Sequence, residues 1–191
     1  MGNWGELGGL IITNFQIHDF PTSEFYFDVM ALGLDWGFNH FTVILLCGLK
    51  DGELYICAEL AVRELTEQEI VQKAEDMGLP KHLFMWCDSA SPALIKALRV
   101  SGFRAQAVEK EPGSVLAQIR WLKDRKIHIH PSCVQTAKEI QAWKWLKDKK
   151  TGKYVDEPSP FDDDAMAAMR YGIEGWRKKR RYNVRGGEDG K

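Results

Sequence analysis

The sequence predicts an α/β domain on a mixed central β-sheet, an antiparallel three-strand meander plus parallel strands, flanked by helices. Two patterns lead there. Three apolar runs, 29–34, 41–49 and 54–58, follow one another across short turns, as in a meander. After them, segments with helix-start signals alternate with short apolar runs up to residue 130, the pattern of strands linked through helices that cover both sheet faces. At 191 residues and 45% hydrophobic, the chain has enough material for one domain with a proper core.

Residues 1–28 are Gly-rich and irregular and read as a lead-in segment. Val29 to Leu34 is a buried-strand run that stops at Asp35-Trp36-Gly37. Phe41 to Leu49 forms the second strand, and Lys50-Asp51-Gly52 is a hairpin signal, because Asp-Gly tolerates the positive φ that tight hairpins need. Leu54 to Ala58 is the third strand. A helix then starts at Thr66, where Glu69 completes a capping box and Leu65 with Ile70 can form a staple; Gly78 and Pro80 end it.

Leu83 to Cys87 is a further buried strand, ending at Asp88. Ser91-Pro92 opens a helix, with proline at the first helical position, and Gly102 closes it. Phe103 to Val108 is another strand. Gly113-Ser114 opens a helix to about Lys123, and Ile127 to His130 is a short strand. Ser132 and Gln135 are expected to cap a helix running through Trp143-Lys-Trp145, Lys149 to Gly152 is a turn, and a last helix is expected from Asp163 or Asp164 to about Trp176. The domain is thus expected over 29–176, with 177–191 a basic, flexible tail.

Composition excludes some classes. The seven Trp and nine Phe argue against disorder. No apolar run nears the roughly 20 residues that span a bilayer. The first residues lack the basic region and apolar stretch of a signal peptide, so no membrane partner is expected. Cys47, Cys57, Cys87 and Cys133 form no C-x-x-C pair and read as reduced, mostly buried thiols of a cytosolic protein. The net charge of −1 does not advertise nucleic-acid binding, but charge is uneven. A basic run, Arg177-Lys178-Lys179-Arg180-Arg181, follows the acidic Asp162-Asp163-Asp164. Such a pairing suits DNA phosphates beside cations, and also a solvated tail.

Three acidic positions stand out. Asp35 ends the first strand of the meander, Asp88 ends the fourth strand, and Asp163 and Asp164 begin the last helix. If the first and fourth strands are neighbours, Asp35 and Asp88 converge at one rim, and an acid in the first turn of a helix can aim at the same point. Clustered carboxylates repel, and hard divalent ions relieve them; oxygen ligands suit Mg²⁺ or Mn²⁺. Two such ions about 4 Å apart can drive phosphodiester hydrolysis. Singly, each of these aspartates also reads as a turn or N-cap residue.

Four phrases in order resemble the successive motifs of the nuclease domain of phage terminase large subunits. They are Gly33-Leu-Asp35-Trp-Gly37, Cys87-Asp88-Ser-Ala-Ser-Pro92, Lys110-Glu-Pro-Gly-Ser114 and Asp162-Asp-Asp-Ala-Met-Ala-Ala-Met-Arg-Tyr171. The resemblance implies an RNase H-like fold, two divalent metal ions, and cleavage of concatemeric double-stranded viral DNA during packaging in the cytoplasm of an infected or lysogenic bacterial host. It matches Asp35 and Asp88 to the first two metal-binding acids and places the third within Asp163-Asp164, with Asp164 preferred and Asp163 as helper. It further implies an ATPase motor domain, a small terminase subunit and a portal protein as partners. No G-x-x-x-x-G-K-[ST] loop occurs, so the chain reads as a nuclease domain that does not itself hydrolyse ATP.

One position departs from the family pattern: Ala167 stands where an acid is common. That keeps open a DNA-binding packaging module with an impaired metal site. Other enzymes of the fold, a Holliday-junction resolvase or an RNase H, are the further alternatives. Lys110 and Ser114, the latter through the N-terminus of its helix, are candidate DNA-phosphate contacts, as are Arg177, Lys178 and Lys179. His128 and His130 lack zinc-spaced partners and read as structural or exposed; His40 is a weak candidate near Asp35, and Arg170 and Tyr171 read as braces of the last helix.

Overall fold

A computed structural model describes residues 9–160 and 163–178. Its centre is a seven-stranded mixed sheet. The strands are β1 (Phe15–Ile17), β2 (Val29–Asp35), β3 (Thr42–Lys50), β4 (Glu53–Val62), β5 (Phe84–Cys87), β6 (Arg104–Ala107) and β7 (Ile127–Ile129), in the order β1-β7-β4-β3-β2-β5-β6. The meander is β2, β3 and β4, all antiparallel. β5 and β6 extend it in parallel beyond β2, and β7 and β1 extend it in parallel beyond β4.

The hairpin between β3 and β4 turns at Asp51 and Gly52, with φ of 51° and 80°, the backbone that the Asp-Gly pair foretold. A register shift opposite Leu46 and Cys47 leaves Cys57 as a bulge in β4.

Alternation along β3 divides the core in two. Val43, Leu45 and Cys47 face one side, where they pack with Ile56, Ile129 and the helices α3 (Ser114–Lys123), α4 (Val134–Ala142) and α5 (Asp164–Gly172). Ile44 faces the other, where it joins Leu32, Leu34, Met85 and Cys87 beneath α1 (Glu67–Asp76) and α2 (Pro92–Val100). The result is the three-layer arrangement expected. All four cysteines are buried and unpaired, and burial pushes their thiols above the ordinary range, to about 12 for Cys57, Cys87 and Cys133.

The capping box on α1 is formed: Thr66 Oγ1 accepts the Glu69 N–H, and the Glu69 carboxylate accepts the Thr66 N–H at 2.8 Å. Two helix expectations are corrected. The helix α4 begins after Cys133, not at Ser132, whose hydroxyl instead bonds His130 Nδ1. It also stops at Ala142 rather than running through Trp145. Trp143 is extended (φ −69°, ψ 113°) and fully buried, and its carbonyl accepts the Ile11 N–H at 2.9 Å while the Trp145 N–H donates to Gly9. Pairing with the lead-in segment outcompetes one more helical turn. Trp145 to Lys147 then forms β8, paired with β9 (Tyr154–Pro158), a hairpin not anticipated.

The lead-in segment is more ordered than its composition suggests. Ile11 and Ile12 are core residues, and β1 pairs with β7. Phe20, Tyr26 and Phe27 pack on Tyr55 at the far end of the sheet. His128 is buried there, stacked on Tyr55 and hydrogen-bonded to Glu53 and His18, so it is structural, as its sequence context suggested. The last helix is interrupted: α5 ends at Gly172, the chain turns at Ile173, and helical backbone resumes over 174–178.

Candidate active site

The site is built where β2 and β5 end side by side. These strands are parallel neighbours with Leu34 opposite Cys87, and the Asp88 N–H donates to the Leu34 carbonyl at 2.9 Å. Asp35, the last residue of β2, and Asp88, the first after β5, therefore stand on adjacent strands at one rim. The condition set by the sequence, that these two strands be neighbours, is met.

The third acid comes from α5, which crosses β2 and β3. Its close approach depends on glycine at position 33. A Cβ on Gly33 would overlap the Ala168 carbonyl oxygen and come within 2.5 Å of Gly172 N. This brings the first turn of α5 to the rim, where Asp164 Oδ2 accepts the Phe41 N–H at 3.1 Å. Asp163 immediately precedes the helix.

The electrostatics record this convergence. The Asp35 carboxyl is pushed up to about 8, first by burial, then by the negative charges of Asp88 and Asp164; Arg170 opposes the rise and Asp163 adds to it. Lys110 brings a positive charge to the rim. Its ammonium lies 2.5 Å from Asp88 Oδ1, which also accepts the Ala90 N–H at 2.9 Å. Burial pulls Lys110 down, but the hydrogen bond to Asp88 and the surrounding negative charge leave it above its ordinary value.

The remaining candidates divide. Ser114 is half-buried at the start of α3, its N–H donated to the Glu111 carbonyl. His40 is exposed in the loop before Phe41. Arg177 is buried, and its guanidinium donates to both oxygens of Glu174, at 2.8 and 2.9 Å. Lys178 pairs with Glu109 and Glu174. The Arg177 pair is buried, whereas Lys178 meets the exposed Glu109, the chain neighbour of Lys110; Lys179 and Asp162 lie outside the described residues. Arg170 donates to Gln118, whose amide donates to Glu174, so this network braces the region behind the site.

Sequence reasoning missed Glu139. From α4 its Oε2 accepts the N–H groups of Ala165 and Met166, at 2.7 and 3.2 Å. Burial raises it to about 7 against the lowering effect of these bonds and of the one from Gln135. No local pattern could reveal it, since its partners lie 26 residues away.

A family model for the terminase RNase H-like domain matches residues 35–175, the span that carries every acid at the rim. The chain belongs to this family. Among solved structures, the terminase nuclease domain of bacteriophage SPP1 (g2p, large terminase), determined with bound Mn, has a TM-score of 0.75 at 23% identity, covering 85% of this chain and 96% of that one. The phage P22 large terminase nuclease domain follows at 0.60 and 15%, covering 85% and 86%. The large terminase of the thermophilic bacteriophage D6E, in complex with ATP-γ-S, gives 0.67 and 21%; the match covers 87% of this chain and 45% of that protein. No curated protein matches. The RNase H-like terminase fold expected from the four motifs is thus the fold of the chain.

Whether the terminase acids suit divalent ions is a question of donor chemistry. The set is oxygen-only, and Asp35 among its neighbours carries the like-charge conflict that a cation relieves. The residues fit the group. Among the described residues, however, no three Asp, Glu, His or Cys side chains stand ready as a metal cage. Asp88 is occupied by Lys110, and Asp164 by the Phe41 N–H. Ala167, at the departure from the family pattern, is buried with Val108, Tyr171 and Trp86.

Proposed function

We propose that this chain is a two-metal endonuclease domain of a phage terminase large subunit, hydrolysing phosphodiesters of double-stranded viral DNA concatemers during packaging. The observation that carries the reading is the meeting of Asp35 at the end of β2, Asp88 just past the neighbouring end of β5, and Asp164 on the first turn of α5 that packs across β2. Asp35, Asp88 and Asp164, with Asp163 as helper, would hold two divalent ions, Mg²⁺ or Mn²⁺. Bound there, such ions supply Lewis-acid stabilisation of the phosphoryl oxygens and a lowered pKa for the attacking water.

The chain's own residues then have defined tasks. Asp35, whose charge is coupled to both Asp88 and Asp164, would help hold either ion. Lys110, paired with Asp88, would also reach a DNA phosphate, and Ser114 would offer the start of α3 to the same backbone. Arg170 stays behind the site and tempers its negative charge. In the whole protein, an ATPase motor, a small terminase subunit and a portal protein are the partners, and the host cytoplasm is the place of action. No described helix is long and apolar enough to cross a membrane.

The test is supercoiled plasmid incubated with Mn²⁺, Mg²⁺ or EDTA, with Asp35→Asn as control. Metal-dependent nicking and linearisation that vanish in the control are expected. DNA binding without cleavage in any metal would favour the impaired-site reading that Ala167 motivates. Preference for a four-way junction or an RNA–DNA hybrid over linear duplex would favour the other enzymes of the fold.

A further inference from the structure

The helix that carries Asp164 has no cap of its own. Asp163 at its N-cap makes no side-chain cap hydrogen bond, yet Ala165 and Met166 are fully buried, so their orphan N–H groups need acceptors. Glu139, 1% exposed on α4, provides them through Oε2, while its Oε1 accepts from Gln135 Nε2 at 2.8 Å.

The helix α4 is itself held in the same way. Cys133 at its N-cap makes no side-chain cap bond, its thiol donating instead to the Ile56 carbonyl at 3.6 Å. Glu59 on β4 accepts the Gln135 and Thr136 N–H groups at 2.8 and 2.6 Å and the Thr136 hydroxyl at 2.6 Å. Two carboxylates thus tie sheet to α4 and α4 to α5, and the second ends one residue from Asp164. On the far side, Asp164 is met by the Phe41 N–H.

We propose that Glu139 is a positioning residue for Asp164, acting through the N-terminus of α5; this rests on the reading of Asp164 as a metal-holding acid. With Glu139 in place, the first-turn N–H groups are satisfied and the Asp164 carboxylate is left to the rim, where it accepts the Phe41 N–H. Without it, those donors lack an acceptor, and an acid in the same turn is the nearest replacement. Asp163 at the N-cap or Asp164 beside it is then drawn back over the helix end, as an N-terminal acid is by the helix dipole and open N–H groups, and either movement turns the Asp164 carboxylate from the rim.

The experiment is Mn²⁺ binding by calorimetry on the full chain, with melting temperature in parallel, for wild type, Glu139→Ala, Glu139→Gln, Glu139→Asp and Asp164→Asn. Glu139→Ala is expected to raise the Mn²⁺ Kd about tenfold or more at temperatures well below its Tm, the scale typical of lost partners behind metal ligands. Glu139→Gln keeps an acceptor oxygen and is expected to restore most of the affinity. Glu139→Asp keeps the charge but shortens the reach by one methylene, and is expected to weaken binding about threefold or more; it covers the case in which the alanine variant does not fold. Unchanged Kd in folded Glu139→Ala or Glu139→Asp overturns the proposal, as does a glutamine variant as impaired as alanine. If Asp164→Asn also leaves Mn²⁺ binding intact, the metal-site reading itself falls; if only the Glu139 variants bind normally, the positioning role alone does.

Discussion

Gly33 on β2 and Gly172 on α5 pack backbone against backbone, with no side chain between strand and helix. This contact sets how near the first turn of α5 comes to the ends of β2 and β5. Gly33→Ala places a methyl against the Ala168 carbonyl and Gly172 N, both backbone atoms that cannot rotate away. The expected cost is about 3 kcal/mol, the upper part of the range for overpacking. In a chain of this size that lowers Tm by about 6–12 °C. Thermal melts check it, and because α5 must lift, Mn²⁺ binding is expected to weaken as well.

Lys110 pairs with Asp88 at the rim. Lys110→Met removes a competing cation and one positive charge from the rim. Mn²⁺ affinity is expected to rise a few-fold in calorimetry. DNA affinity is expected to fall, with the slope of log K against log salt reduced by about 1. An unchanged salt slope would remove Lys110 from the phosphate contacts.

The pH dependence follows from Asp35 and Glu139, both raised in the folded chain, to about 8 and about 7, from ordinary values near 4. A raised native value means that the folded state holds the proton more tightly than the unfolded state. The associated stability is complete below about pH 4 and is lost as pH rises through 7 and 8. In EDTA, Tm is therefore expected to fall between pH 5 and pH 8.5. Asp35→Asn should flatten that fall and melt higher than wild type at pH 8.5. Mg²⁺ or Mn²⁺ should raise the wild-type Tm most at the alkaline end, where the carboxylates are ionised. A Tm that climbs with pH in EDTA would contradict the buried, mutually repelling cluster.

Arg177 tests the difference between a basic tail and a buried brace. Its guanidinium is committed to Glu174, which also holds Gln118. Burial works against the Glu174 charge, but these hydrogen bonds outweigh it and hold its carboxyl below the ordinary range. Arg177→Ala leaves a buried carboxylate without its main partner, for which a loss of about 3–5 kcal/mol is typical. A large drop in Tm is expected, with little change in DNA affinity per folded molecule. The reverse pattern would return Arg177 to the DNA interface.

The sequence by itself determined the elements whose signals are local. Apolar runs marked β2 to β4, Asp51-Gly52 marked the hairpin between β3 and β4, and Thr66 with Glu69 marked the start of α1. The order of Asp35, Asp88 and Asp164 along four motif phrases was also legible, because strand ends and helix starts are written in neighbouring residues. The tertiary structure decided what depends on partners far along the chain. It brought Asp88 beside Asp35 through the parallel register of β2 and β5, and Asp164 to both through Gly33 and Gly172. It ended α4 at Ala142 by giving Trp143 a partner in Ile11, and it turned Arg177 inward onto Glu174. It capped α4 with Glu59, some 77 residues from Thr136, and α5 with Glu139. A hydrogen bond satisfies a buried N–H equally well from any position in the chain, so such caps leave no pattern in the residues around the helix they hold.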